Sequence, residues 1–114
     1  MFRRITKRDK PEAIARATRL YAERMTAALQ LARKRAVRSA PLVRGLLASA
    51  SVVGRAQNSN IKAAVLSFEA PPFAGGLHHF YPWHYIDSLS HRELATDISQ
   101  MLRSRLAWRQ AEGV

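Results

Sequence analysis

The chain has 114 residues and a formal net charge of +11, with 19 lysines and arginines against 8 carboxylates. A chain of this length forms one domain at most, and the absence of cysteine excludes a disulfide framework and a thiolate metal site. The sequence has no run of about 18 apolar residues, which excludes a membrane-spanning helix.

The positive charge lies in the first half of the chain. Residues 1 to 62 hold 15 basic and 3 acidic side chains and carry +12, whereas residues 63 to 114 carry −1. No carboxylate occurs between Glu23 and Glu69. This asymmetry predicts a negatively charged partner for the basic half, which would be a phosphate backbone, an anionic lipid surface or an acidic protein.

Residues 1 to 10 are predicted to form a basic N-terminal arm. The segment begins MFRRITKR, which is rich in arginine and free of acidic residues, and an amphipathic pattern follows it. These features are typical of a mitochondrial targeting segment. They predict a mitochondrial location and association with a membrane through a larger complex.

A long amphipathic helix is predicted over residues 11–38, with Pro11 in its first turn. Its apolar residues recur at spacings of three and four, which places them on one face. They are Ile14, Ala17, Tyr21, Met25, Ala28, Leu29 and Ala32. Six of the basic residues of this helix are predicted to contact an anionic partner, and they are Arg16, Arg19, Arg33, Lys34, Arg35 and Arg38.

Two shorter elements are predicted next. Residues 41–53 read as an apolar helix that begins at Pro41 and is stopped by Gly54. Residues 61–68 fit either a short helix or a strand, because Ile61, Ala63 and Val65 alternate with other residues. The helix is favoured, since an isolated strand would have no pairing partner elsewhere in the chain.

Residues 70–88 are predicted to form an irregular loop that begins APPFAGGLHHFYPWHYI. Its prolines remove backbone donors and its paired glycines are a turn signal, yet its aromatic residues stabilise a protein by being buried. The loop is therefore expected to pack on the helices of the protein or on a partner. The predicted partner contacts are Phe80, Tyr81, Trp83 and Tyr85.

A second long helix is predicted over residues 90–111. Ser90 and Glu93 have the spacing of a capping box, and Leu89 and Leu94 have the spacing of the hydrophobic staple that accompanies it. The predicted fold class is consequently all-α. It comprises two long amphipathic helices, one or two shorter apolar helices and the aromatic loop, in an extended, subunit-like domain over residues 11–114.

Four histidines cluster late in the chain, at His78, His79, His84 and His91. Imidazoles bind zinc or copper, but His78 and His79 are adjacent and would have to point the same way. No metal site, cofactor or catalytic residue is therefore predicted.

These patterns predict a non-catalytic accessory subunit of a large multiprotein assembly. The first choice is a mitochondrial inner-membrane respiratory or ATP synthase complex, with other protein subunits as partners and contact with anionic lipid as a further possibility. The alternative is an RNA-associated basic protein, such as a peripheral ribosomal protein, which would use the basic half to hold phosphates. A histidine-ligated metal protein is the third hypothesis.

Overall fold

The computed structural model describes residues 10–58, 61–73 and 75–112 of the chain. The predicted basic arm, apart from residue 10, lies outside this part. The helices are α1 (Pro11–Arg35), α2 (Pro41–Ser49), α3 (Trp83–Ser88) and α4 (His91–Glu112), with a 3-10 turn at Ala36–Arg38. The strands are β1 (Ser51–Asn58), β2 (Ile61–Phe68) and β3 (Leu77–Pro82).

The fold is mixed α/β, so the prediction of an all-α class is wrong. The three strands form one antiparallel sheet in the order β1-β2-β3, with β2 in the centre. The middle of the sheet pairs Val53 with Val65 and Val65 with Phe80. The described molecule is nevertheless elongated, with extents of 50 × 26 × 20 Å.

The predicted helix over 41–53 ends at Ser49, and β1 begins two residues later. The apolar pattern continues past Ser49, but Val52 and Val53 are β-branched and suit a pleated strand better than a helix. In β1 these two neighbours point to opposite faces of the sheet, because side chains alternate along a strand. Over so few residues, the apolar spacing of a helix and the alternation of a strand give the same pattern. The spacing alone therefore could not locate the boundary between α2 and β1.

Residues 61–68 form the central strand, so the helix favoured for them is wrong. The reason for favouring a helix was the lack of a pairing partner. The partners come from the two segments that were assigned to a helix and to a loop, namely β1 and β3. Strand pairing depends on the tertiary structure. Because the segments of β1 and β3 were not recognised as strands, no pairing partner was left for the strand between them.

The predicted aromatic loop over 70–88 is irregular only in its first part. Gly75 and Gly76 have φ angles of 81° and 87°, so they form the turn that their sequence indicated. The chain then enters β3 and α3 directly. Pro82 is tolerated because it occupies the last position of an edge strand and the cap position of α3.

The two long helices are confirmed. The stripe predicted on α1 is buried at Tyr21, Met25, Ala28, Leu29 and Ala32. The capping box at the start of α4 is also confirmed by reciprocal hydrogen bonds. The backbone N–H of Ser90 donates to Oε1 of Glu93 at 2.9 Å, and the backbone N–H of Glu93 donates to Oγ of Ser90 at 3.2 Å.

One face of the sheet is covered by helices and forms the core. Helix α1 packs on β1 and β2, and α4 packs on α1. The side chains that point toward α1 are buried, among them Ala64, Leu66, Phe68 and Tyr81. Most of the side chains that alternate with them define a second surface, which we call the open face: Ser51, Val53, Arg55, Val65, Ser67, His78 and Phe80. Ala63 belongs to the same alternation but is buried.

Gly54 allows α1 to lie close to the sheet. A Cβ atom at this position would stand 2.6 Å from the backbone oxygen of Thr18 and 2.7 Å from its Cγ2. Thr18 cannot easily move aside, since its hydroxyl donates to the carbonyl of Ile14 at 2.8 Å. The helix would therefore have to shift to accommodate any side chain here.

We expect Gly54→Ala to destabilise the protein by roughly 1–3 kcal/mol, because overpacking at a backbone contact displaces a whole helix. Urea unfolding measures the change. Gly45→Ala is the matched control, since it lies in α2 and a Cβ there meets no atom within 4 Å. That control should be neutral or stabilising by up to about 1 kcal/mol, because alanine favours helix. Equal effects of the two changes would contradict the close approach.

We expect Ser90→Ala to cost about 1 kcal/mol of stability at neutral pH, because it removes the side-chain acceptor for a free amide at the start of α4. Urea unfolding again gives the value. Ser104→Ala, at an exposed position within the same helix, is the control and should cost nothing.

The same cap should depend on pH. The hydrogen bonds from the backbone and side chain of Ser90 lower the pKa of Glu93 from its ordinary value of 4.5. The contribution of the ionised carboxylate is therefore present above pH 4.5 and is lost as the pH falls through the pKa of the folded state. The stability difference between the natural chain and Glu93→Gln should shrink over that acidic range.

Candidate interaction surface

The open face has an apolar centre. Val53, Val65 and Phe80 lie side by side across the three strands in one row of the pairing register. Val53 is 54% exposed and Phe80 is 44% exposed, and Val65 between them is partly exposed. A solvated face of an antiparallel sheet normally carries polar residues, so this apolar row marks the face as unusual.

Polar groups surround the row. Ser51, Ser67 and His78 form the next row across the strands, and Oγ of Ser67 lies 2.8 Å from Nδ1 of His78. Arg55 is exposed at the end of the face opposite to this row, and Glu69 is exposed just beyond the end of β2. Together with the apolar row these residues line a shallow groove of about 510 Å³.

The Ser67–His78 pair does not form a catalytic arrangement in the described part of the chain. A nucleophilic serine needs a third group that orients the histidine and donors for the developing oxyanion. Among the described residues the ring of His78 donates no hydrogen bond to the carboxylate of Glu69. The pair acts as a polar contact between neighbouring strands.

The four aromatic residues predicted to contact a partner do not share one surface. Phe80 lies on the open face, whereas Tyr81 is 1% exposed and belongs to the core, because neighbours in β3 point to opposite faces. Trp83 is partly buried against the core. Tyr85 is exposed and its hydroxyl donates to Oδ1 of Asp97 at 2.8 Å. Of this set, only Phe80 is available on the open face.

The tyrosines of this region are held in the neutral form. Burial raises the pKa of Tyr81, and the nearby carboxylate of Asp97 adds to the effect. The hydrogen bond to Asp97 raises the pKa of Tyr85 in the same way. Burial followed by the charge of Asp87 raises the pKa of Tyr21 to about 12. These phenols therefore stay protonated at neutral pH. Tyr21 and Tyr85 donate to Asp87 and Asp97, whereas the buried hydroxyl of Tyr81 has no hydrogen-bond partner among the described residues.

The sequence analysis missed the contribution of β1 and β2 to this surface. Val53 was assigned to a helix, and Arg55 and Val65 were given no role. The alternation around Val65 was the signal that could have identified the face, because it indicated a strand with one row of residues pointing away from the core.

Exposed cations cover the helices, and we call this set the basic helical surface. Its members before residue 50 are Lys10, Arg16, Arg19, Lys34, Arg35, Arg38 and Arg44. Helix α4 adds Arg92, Arg103, Arg105 and Arg109. Of the residues predicted to contact an anion, Arg16, Arg19, Lys34, Arg35 and Arg38 are exposed here, and their anion contact stays a prediction.

Arg33 has a structural role instead. Its Nε donates to the carbonyl of Leu47 at 2.7 Å, and its Nη2 donates to those of Ala48 at 3.3 Å and Ala50 at 3.0 Å. These carbonyls lie at the C-terminal end of α2, where a cation is also favoured by the helix dipole. The carbonyl of Leu47 also accepts the backbone N–H of Ala50 at 3.4 Å. The guanidinium thus ends α2 and fixes the chain as it enters β1.

Two more arginines hold helices together. Nη1 of Arg35 donates to Oγ1 of Thr96 at 3.0 Å and to the carbonyl of Arg92 at 3.3 Å. Arg24, which the sequence analysis did not single out, bridges Oδ1 of Asp87 at 3.2 Å and the carbonyl of Leu89 at 3.1 Å. Part of the positive charge of α1 is therefore used to fix α3 and α4.

The histidines do not form a cluster of ligands. His78 lies on the open face, while His79 points to the opposite side, where burial and the charge of Arg105 lower its pKa. Among the described residues, no three histidine, aspartate or glutamate side chains are grouped so that they could hold a metal ion.

None of the described helices combines the length and the apolar character that a membrane-spanning helix requires.

Comparisons with protein-family models, with curated proteins and with solved structures found no significant match. The function is therefore argued from the geometry of the open face and of the basic helical surface.

We expect Arg33→Met to destabilise the protein by about 1–3 kcal/mol, because the carbonyls of Leu47, Ala48 and Ala50 lose the hydrogen bonds that the guanidinium donates. Urea unfolding measures this loss. Lys34→Met is the matched control, since it removes the same charge from the next, exposed position and should change stability by less than about 0.5 kcal/mol. If both changes had the same small effect, the guanidinium would not hold the end of α2.

Proposed function

We propose that this protein is a non-catalytic subunit whose open face is completed by another protein chain. The observation that carries the proposal is the exposed row of Val53, Val65 and Phe80 in the middle of the face. An apolar centre with a polar rim is the usual anatomy of a protein interface. Contact with a partner would remove this apolar row from water, and this burial would stabilise the complex.

The charge of the open face supports a protein partner. The face carries one arginine, Arg55, and one carboxylate, Glu69, at its margins, whereas the whole chain carries +11. A surface that grips a phosphate backbone needs several cations and avoids carboxylates. The open face is therefore better suited to a neutral, partly apolar protein surface.

The carboxylates of the helical region support a structural role. Asp87 and Asp97 accept hydrogen bonds from Arg24 and Tyr85, and Glu93 completes the cap of α4. Carboxylates engaged in this way fix helices and are poorly placed to exchange protons with a substrate. The proposed activity is therefore binding and assembly.

The mitochondrial part of the sequence prediction is retained only as a prediction. It rests on the segment MFRRITKR, and residues 1–9 lie outside the described part of the chain. If this segment is a mitochondrial targeting segment, the proposed assembly is an inner-membrane respiratory or ATP synthase complex.

RNA association is the second candidate function, and the basic helical surface favours it. Arg16, Arg19, Lys34 and Arg38 are exposed on α1 and the turn that follows it. Cations that are free to meet phosphates would release counterions on binding and give a strongly salt-dependent affinity. This surface is separate from the open face, so the two candidate functions depend on different residues.

We expect Val53→Glu to abolish the association of this protein with its protein partners in the cells that produce it, because a charge in the apolar row cannot be desolvated. Affinity purification of the tagged chain, followed by identification of bound proteins and RNA, is the measurement. Val37→Glu is the control, since Val37 is 69% exposed and lies outside the sheet. The control should recover the same proteins as the natural chain.

Two results would count against the first candidate. Proteins retained equally by both variants would show that the open face is not the interface. RNA retained by Val53→Glu, but lost when Arg16, Arg19, Lys34 and Arg38 are all changed to glutamine, would favour the second candidate.

A further inference from the structure

We propose that the chain which completes the open face is a second copy of this protein, related to the first by a two-fold axis. This inference rests on the proposed function and names its partner. The two sheets would pack face to face, about 10 Å apart, with the axis running along the row of Val53, Val65 and Phe80. The placement of charge on the face supports this symmetry.

Arg55 and Glu69 lie on opposite sides of the apolar row. Arg55 is two residues from Val53 along β1, on the side where it pairs with Ala63. Glu69 is four residues from Val65 in the other direction, past the end of β2. With a rise of about 3.3 Å per residue, they stand roughly 7 Å and 13 Å from the row.

A two-fold axis along the row exchanges the two ends of the face. It therefore brings Arg55 of one copy to the end where the second copy carries Glu69. The remaining offset of roughly 6 Å along the strands is within the reach of an arginine and a glutamate side chain. Because the operation is symmetric, the pair forms twice, and the face is complementary to itself.

The apolar row suits the same axis. Residues on a two-fold axis meet their own counterparts, so Val53, Val65 and Phe80 of the two copies would pack together in the centre. Phe80 and Val53 are the large apolar side chains that the fold leaves uncovered on this face. Their burial would place the hydrophobic contacts in the middle and the ion pairs at the rim.

The positive charge of the described residues does not oppose this contact directly. Apart from Arg55, the exposed described cations lie on the basic helical surface, and α1 covers the opposite face of the sheet. At physiological ionic strength the screening length is about 8 Å, which is shorter than the thickness of a helix layer. The open faces can thus approach while the basic surfaces stay directed away.

The expected association is weak. Three strands about 4.8 Å apart give a face of roughly 14 Å by 20 Å, or roughly 280 Å² on each copy, which is well below the roughly 800 Å² per partner of a standard specific interface. We therefore expect a dissociation constant on the order of 100 µM. The natural chain should be monomeric at low micromolar concentration and dimeric at several hundred micromolar.

Sedimentation velocity of the full chain across that concentration range is the first test. Val53→Glu should weaken dimerisation by at least about tenfold, because it buries a charge beside its own counterpart. The control Val37→Glu should leave dimerisation unchanged. A natural chain that stays monomeric at about 500 µM, well above the expected constant, would overturn the inference, as would a dimer that Val53→Glu does not affect.

Charge reversal identifies the partner as a second copy. Arg55→Glu alone should weaken dimerisation about fivefold to tenfold, since two attractive pairs become repulsive, and Glu69→Arg alone should do the same. An equimolar mixture of these two variants should dimerise about as well as the natural chain, because each new charge then meets its opposite. Failure of the mixture to recover would overturn the proposed pairing.

These results separate the inference from the proposed function. A chain that is monomeric when pure, but loses its cellular protein partners on Val53→Glu, would leave the proposed function standing with a different protein on the open face. Loss of neither association would contradict both. The variants lie at exposed positions, and recovery in the mixture would show that both chains are folded.

Discussion

The contact between α1 and the sheet at Gly54 determines which surfaces this protein presents. Thr18 lies directly over the glycine, so the helix approaches β1 more closely than any side chain would permit. Once α1 covers one face, the inward residues Ala64, Leu66 and Phe68 of β2 are buried, whereas Val65 and Ser67 are left partly exposed on the other side. The open face is thus a direct consequence of a helix that packs on only one side of a three-stranded sheet.

Arginine is used in this protein for two different purposes. Arg33 donates to three carbonyls at the end of α2, and Arg24 joins α1 to α3 and to the link between α3 and α4. The planar guanidinium can satisfy several acceptors at once, which lysine cannot do with the same geometry. Other arginines of the same helix, such as Arg16 and Arg19, remain exposed and supply the charge of the basic helical surface.

The two surfaces of the molecule therefore differ in chemistry. The helices carry most of the positive charge, whereas the open face is nearly neutral, with an apolar row and one charge of each sign at its margins. A protein partner on the open face would leave the basic helical surface accessible. The protein-assembly candidate and the RNA candidate are consequently compatible in one molecule, since each would use a different side of the sheet and helix layers.

The sequence by itself determined the two long helices and the cap of α4, because the 3.6-residue period of Tyr21, Met25 and Ala28 and the Ser90–Glu93 spacing are local signals. It did not determine the sheet. A strand is stabilised by its neighbours, and β2 could be recognised only with both β1 and β3 in place. The open face could not be predicted for the same reason, because it exists only once the strands are paired. Val53 and Phe80 are 27 positions apart in the chain and lie in one row only because both strands pair with β2 at Val65. Charge could be counted from the sequence, but only the tertiary structure decided which arginines hold the fold and which face solvent, because backbone carbonyls become available as partners when helices end beside them.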